Sequence, residues 1–208
     1  MHTHDRLACH GAFIAALIAA VGGCSSQRPP QSGFLTNYEA LTPHASRAGA
    51  FLYEHPSTKI SSYRGFLIEP VVVSLTPEAQ ERSVDPQALE RLAEYFRREL
   101  IAAIPERFAV VEAPGPGVLR IRAAITDATP RAVFSNLHPR SAATEGNASR
   151  TTIEAELVDA ETNERIVAIV DTQLGAQFKY DIHWSQWGNV EGALRQWAQL
   201  LRERLEQE

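Results

Sequence analysis

Cysteine is almost missing from this 208-residue chain: there are two, Cys9 and Cys24, and none follows. A disulfide framework needs an even set of thiols spread through the folded part, so everything after Cys24 must hold by packing alone. Lysine is scarcer than arginine by 2 to 18, and acids outnumber bases, for a net charge of −5. Nowhere do five like charges stand in a row. That excludes a charged arm and argues against a nucleic-acid partner, which rewards a basic face. A long apolar run is also missing. The best stretch, Gly11–Val21, is roughly half of the ~20 residues a spanning helix needs, so a polytopic membrane protein is excluded. The catalytic signatures G-x-S-x-G, H-E-x-x-H, the P-loop, G-x-G-x-x-G and Ser-x-x-Lys are missing too. What remains is an ordinary globular balance, 44% hydrophobic and 22% charged, in a length suited to one domain.

The N-terminus has the layout of a secretory signal. Residues 1–10 are polar, with Asp5 offsetting Arg6, and the apolar run GAFIAALIAAV leads to Val21-Gly22-Gly23-Cys24. These four residues resemble the lipobox of bacterial lipoproteins: an aliphatic residue, two small ones, then Cys. The resemblance implies a diacylglyceryl thioether on Cys24, cleavage between Gly23 and Cys24, and acylation of the new amino terminus. Ser25, not Asp, follows the cysteine. In that class this implies sorting to the outer membrane, with the body facing the periplasm. Residues 24–33 are read as the lipidated cysteine and a flexible tether, Ser-Ser-Gln-Arg-Pro-Pro-Gln-Ser-Gly after the Cys. Residues 34–208 are read as a single domain.

Within that domain Phe34–Ser62 shows scattered aromatics without a period and is expected to be an ordered, mostly irregular wrap that lies against the body. Tyr63–Leu75 reads as a strand, and Pro70, which cannot donate to a ladder, is expected at an edge or a bulge of it. Asp85-Pro86 signals a helix start. Leu89, Leu92, Ala93, Phe96, Leu100 and Ile104 then keep one helical face up to Pro105. Phe108–Val111 is a short strand. Val118–Asp127 alternates Leu119, Ile121, Ala123 and Ile125 with Arg120 and Arg122, as a strand with one wet face does. Thr151–Ala160 and Arg165–Gln173 pair around a turn in which Asn163 suits the left-handed position. Trp184–Leu205 closes the chain as a helix. The expectation is an α+β, two-layer domain with a mixed or antiparallel sheet of about five strands and two main helices on one face.

Several groups invite a functional reading. The long stretch Thr129–Arg150 carries Arg131, Phe134, Leu137, His138 and Arg140, a set suited to docking an envelope protein or cell-wall polymer. The histidines beyond Cys24 are His44, His55, His138 and His183, each isolated. Asp181-x-His183 offers two ligands where a metal site needs three or four, so neither metal nor cofactor is expected. Glu154 and Glu156 share a strand face; the pair suits acid–base work but reads as a solvated face. Trp184, Trp187 and Trp197 suit either a sugar platform or, at helical spacing, the core.

The chain is similar to an uncharacterised bacterial lipoprotein family, the domain of unknown function 3313. The carrying residues are Ser32–Leu35 with Tyr38 and Leu41, then Tyr53, Tyr63, Ile68, Pro70 and Val72. They continue through Pro114–Val118, Ala123–Thr126 and Ile153–Asp159. The resemblance implies an envelope lipoprotein and supplies no catalytic residue. The element order is also similar to small envelope domains such as the amino-terminal domain of TolB-type proteins. The function expected is a non-enzymatic, membrane-tethered binding or assembly module. The rival is a periplasmic hydrolase acting on peptidoglycan or another envelope polymer, with Glu154 or Asp159 lining a cleft. A third reading is a domain that self-associates on the membrane.

Overall fold

The computed structural model describes residues 28–82, 84–130, 149–174 and 187–207. Among the described residues eight strands form one mixed sheet, against the expected number of about five. They are β1 (Thr42–Pro43), β2 (Ala50–Glu54), β3 (Gly65–Ile68), β4 (Val72–Val73), β5 (Ala109–Val111), β6 (Val118–Thr129), β7 (Arg150–Asp159) and β8 (Arg165–Leu174). The order across the sheet is β1-β2-β8-β7-β6-β3-β5, with β4 also on β6. The β6–β7–β8–β2 half is antiparallel, whereas β3 and β4 run parallel to β6.

The added strands come from two places. The stretch Phe34–Ser62, expected to be irregular, supplies β1 and β2. Ala50–Glu54 runs antiparallel to β8 from Asp171 to Val167. The strand signal was hidden because β2 is only five residues long and follows Gly49. Gly49 has φ +86°, and a Cβ there would stand 2.9 Å from the Thr172 carbonyl oxygen, so only glycine lets β2 approach β8. The single strand expected over Tyr63–Leu75 is split by Pro70 into β3 and β4, both along one edge of β6.

Helix α1 (Pro77–Gln80) is one turn capped by Thr76. Helix α2 (Pro86–Ala103) begins as the sequence signals: the Asp85 side chain accepts from the Gln87 N–H, and Pro86 sits at the first position. Ile104 is extended, as a residue before proline must be. Helix α3 (Gly188–Gln207) lies against α2 and β7. Both long helices cover one face of the sheet. Phe66, Phe96, Leu119, Ile125, Ile166 and Leu194 are fully buried there, and Phe66 meets Phe108 edge-on at 5.2 Å. No helix among the described residues is long and apolar enough to cross a membrane.

The opposite face is not left to water. A second, smaller cluster of Leu35, Leu41, Phe51, Ala168 and Val170 forms there, flanked by Phe34, Tyr38 and Tyr53. The segment just beyond the tether lies across the sheet like a strap.

Candidate functional site

Side chains alternate along a strand, so β7 sends Ile153, Ala155 and Leu157 to the helices and Glu154 and Glu156 to the strap. The expected solvated carboxylate pair is instead buried, at 0% and 3% exposure. Glu154 stands between Ala124 of β6 and Val170 of β8. Its charge is met by donors from the strap: the Ser32 N–H at 2.8 Å, the Leu35 N–H at 3.3 Å and the Tyr38 hydroxyl at 2.5 Å. Charge-assisted bonds of this kind are the strong ones. Burial, followed by the bond to Glu154, raises the Tyr38 phenol above its ordinary pKa of 10.0.

Glu156 is held differently. Arg122, its direct neighbour on β6, binds one carboxylate oxygen, and Arg165 binds the other at 2.8 Å. Glu69 lies within 3.6 Å of Arg122 and 3.3 Å of Arg120, and the Phe34 ring lies 5.3 Å from the Arg122 guanidinium carbon. Arg165 also donates to the Asn37 carbonyl and the Thr36 hydroxyl. Arg120 and Arg122 thus occupy the far face, as the alternation predicts, but inside an ion-pair network that buttresses the strap. Asp159 accepts from the Glu161 and Thr162 N–H groups and from the Tyr63 hydroxyl. Those turn N–H bonds, the Thr162 one first, hold its carboxyl below the usual value. Burial and then Asp159 push the Tyr63 phenol up to about 12. All three acids are held by the fold: Glu154 by the strap, Glu156 by two arginines beside a recess that also takes in Arg120 and Arg122, and Asp159 by its turn.

The helix face carries a different feature. Under α3 runs an apolar groove of about 470 Å³, within the range of small-molecule sites. Its floor is Ile121 and Ala123 of β6, Ala155 of β7, Val167 and Ile169 of β8, and Leu52 of β2. Its roof is Phe96, Trp197, Leu200 and Leu201. The space has a local cause. Ala123 and Ala155 face each other across β6 and β7, so two methyl groups stand where larger residues would fill the layer. Val167, Ile169, Leu52, Leu200 and Leu201 are all half-buried, because α3 rests on β7 and leaves the β8–β2 side uncovered. The mouth is marked by exposed Glu54, Arg204 and Gln207 and half-buried Arg47.

One buried polar knot fixes the roof to the floor. Trp197 Nε1 donates to Asp171 Oδ2 at 2.7 Å, and Arg47 binds the same carboxylate oxygen. Trp197 belongs to the core side of the reading for the tryptophans; Trp187 is half-buried against the same core.

Cys24, Gly23, the set Arg131, Phe134, Leu137, His138 and Arg140, and Asp181, His183 and Trp184 lie outside the described residues. Among those described, His44 lies at the groove and His55 bonds Glu164 at 3.1 Å. No group of three metal-ligating side chains comes together among the described residues. Sequence reasoning missed the groove, whose signal is the pair of small residues at 123 and 155, legible only once the register is known. The strap belongs to the wrap expected against the body over Phe34–Ser62; what the sequence did not show is that it buries Glu154 and Glu156.

Comparison with known proteins agrees with the resemblance seen in the sequence. The chain is 29% identical over 178 residues to "Uncharacterized lipoprotein YdcL" of Escherichia coli K12, covering 76% of this chain and 80% of that one. Among solved structures, the PelC dodecamer from Paraburkholderia phytofirmans aligns at TM-score 0.40 and 10% identity, over 74% of this chain and 96% of that one. Protein XCC0632 from Xanthomonas campestris, of the DUF330 family, aligns at 0.39 and 10%, over 74% and 89%. The model of the family "Protein of unknown function (DUF3313)" matches residues 30–201, and the chain belongs to that family.

Proposed function

We propose that this protein is a lipid-anchored envelope lipoprotein that works as a non-enzymatic binding module. Cys24 carries the lipid, Gly23–Cys24 is the processed bond, and Ser25 directs the protein to the outer membrane with its body in the periplasm. The relative named as a lipoprotein supports the anchor. The body is read as one of the small envelope domains, TolB-type ones among them. The observation that carries the binding role is the groove under α3: an open apolar space of about 470 Å³ between the sheet and the two long helices. Against the hydrolase reading, Glu154, Glu156 and Asp159 are bound to strap, arginines and turn.

The strap adds a spatial consequence. The chain is fastened to the sheet at Ser32. Residues 24–31 alone then separate the lipid from the body, a reach of about 28 Å fully extended. A ligand or partner must therefore lie close to the membrane.

Two measurements test this. The native chain should stay with membranes through high-salt washing and leave only with detergent, and the purified protein should release no fragments from peptidoglycan. A chain that salt alone releases contradicts the anchor. Turnover of peptidoglycan contradicts the non-enzymatic role.

A further inference from the structure

We infer that the groove under α3 takes one acyl chain of a bilayer lipid, with the lipid's polar head left at the mouth between β2 and the C-terminal half of α3. This rests on the binding role proposed above and is independent of the anchor.

Three features of the groove select that occupant. The first is length. The floor crosses β6, β7, β8 and β2, three strand spacings, or about 14 Å. An extended hydrocarbon chain fills such a slot lengthwise. The second is the roof. Phe96, Trp197, Leu200 and Leu201 lie over the inner part of the floor, and a partner helix about 10–12 Å across does not fit beneath them. The third is polarity. Phe96, Ile121 and Ala123 close the inner end without a charge, whereas Arg47, Glu54, Glu203, Arg204 and Gln207 gather at the outer end, where Glu54 and Arg204 pair at 3.0 Å. Glu156 borders the floor from β7, but Arg122 and Arg165 hold its carboxylate on the strap side. A ligand apolar throughout would strand its outer part among the groups at the mouth. A ligand with one apolar tail and one polar head matches both ends.

Trp197 in the roof supplies the probe. Full-length protein carrying Cys24→Ser, which has no lipid of its own, is titrated with a lysophospholipid brominated midway along its chain, below its micelle concentration. Bromine quenches indole fluorescence on contact. The expected result is saturable quenching at one lipid per chain, absent in Trp197→Phe. Affinity should fall at least about tenfold in Ala155→Leu, which fills the floor, and in Leu200→Glu, which charges the entrance. Circular dichroism identifies the variants that fold, and either one suffices.

Quenching that does not saturate, or that is equal in native, Ala155→Leu and Leu200→Glu proteins, overturns the inference. A neutral naphthylamine dye bound by the native protein and not by Ala155→Leu, with no uptake of the lysolipid, overturns the lipid assignment while the binding role stands. Uptake of neither sinks both. A concentration-dependent mass that Ala155→Leu abolishes would assign the groove to a second copy of the chain and likewise overturn the lipid assignment.

Discussion

Tyr38 donates its hydroxyl to Glu154 at 2.5 Å across 116 positions of sequence, and this contact holds residues 32–38 to the middle of the sheet. Glu154 is fully buried, and its three partners all come from residues 32–38. Glu154→Ala should therefore cost about 3 kcal/mol, because buried donors lose a charged acceptor. Tyr38→Phe should cost about 1–2 kcal/mol. Urea unfolding measures both. Chymotryptic cleavage within residues 34–38 of Glu154→Ala, under conditions where the native chain resists, would show that the strap has lifted.

Filling the groove should stabilise the protein. Ala155 is half-buried opposite Ala123, and each methylene added to an apolar void contributes about 0.8 kcal/mol. Ala155→Val is expected to raise stability by about 1 kcal/mol, a gain that natural sequences forgo where a space is used. A drop in the urea midpoint would mean that the floor is already filled.

Asp171 joins three elements. It is 1% exposed, accepts from Trp197 at 2.7 Å and pairs with Arg47. Asp171→Ala orphans the indole N–H and the guanidinium, and the loss should be about 3 kcal/mol. Thermal unfolding reads it, with a red-shifted indole emission as Trp197 meets water. Asp171→Asn, which keeps an acceptor for Trp197, should lose less.

The acid limb of stability should carry the signature of Asp159. Its folded-state pKa lies below the ordinary 3.8, so its contribution is complete above that value. It is lost as pH falls through the lower folded-state value. Asp159→Asn should flatten this limb in acid-unfolding curves. At the alkaline end the sign reverses. The Tyr63 phenol, raised from 10.0 to about 12, favours the folded state below pH 10, and that contribution fades as pH rises toward 12. Phenolate absorbance should show a late-titrating class, with one member lost in Tyr63→Phe.

The sequence made legible what local chemistry dictates. Asp85-Pro86 starts α2, Pro105 ends it, and Asn163 takes φ 59° between β7 and β8. It failed where a strand's face is decided by distant chain. Glu154 and Glu156 alternate as solvent-facing residues do, and only the strap, more than a hundred residues earlier, turns that face inward. Pro70 marked an edge or a bulge but not a split into two strands that both pair with β6. The groove follows from register, since Ala123 and Ala155 mean nothing singly and leave a void only when paired. Arg120 and Arg122 read as a wet face because the sequence does not show Glu156 and Glu69 arriving beside them.

The anchor is the claim on which membrane proximity depends, and the intact mass of the protein extracted from membranes tests it most directly. The account predicts a chain beginning at Cys24 that is heavier than its polypeptide by a diacylglyceryl group and an amide-linked acyl chain. A mass that begins at any other residue, or that begins at Cys24 without added lipid, contradicts it.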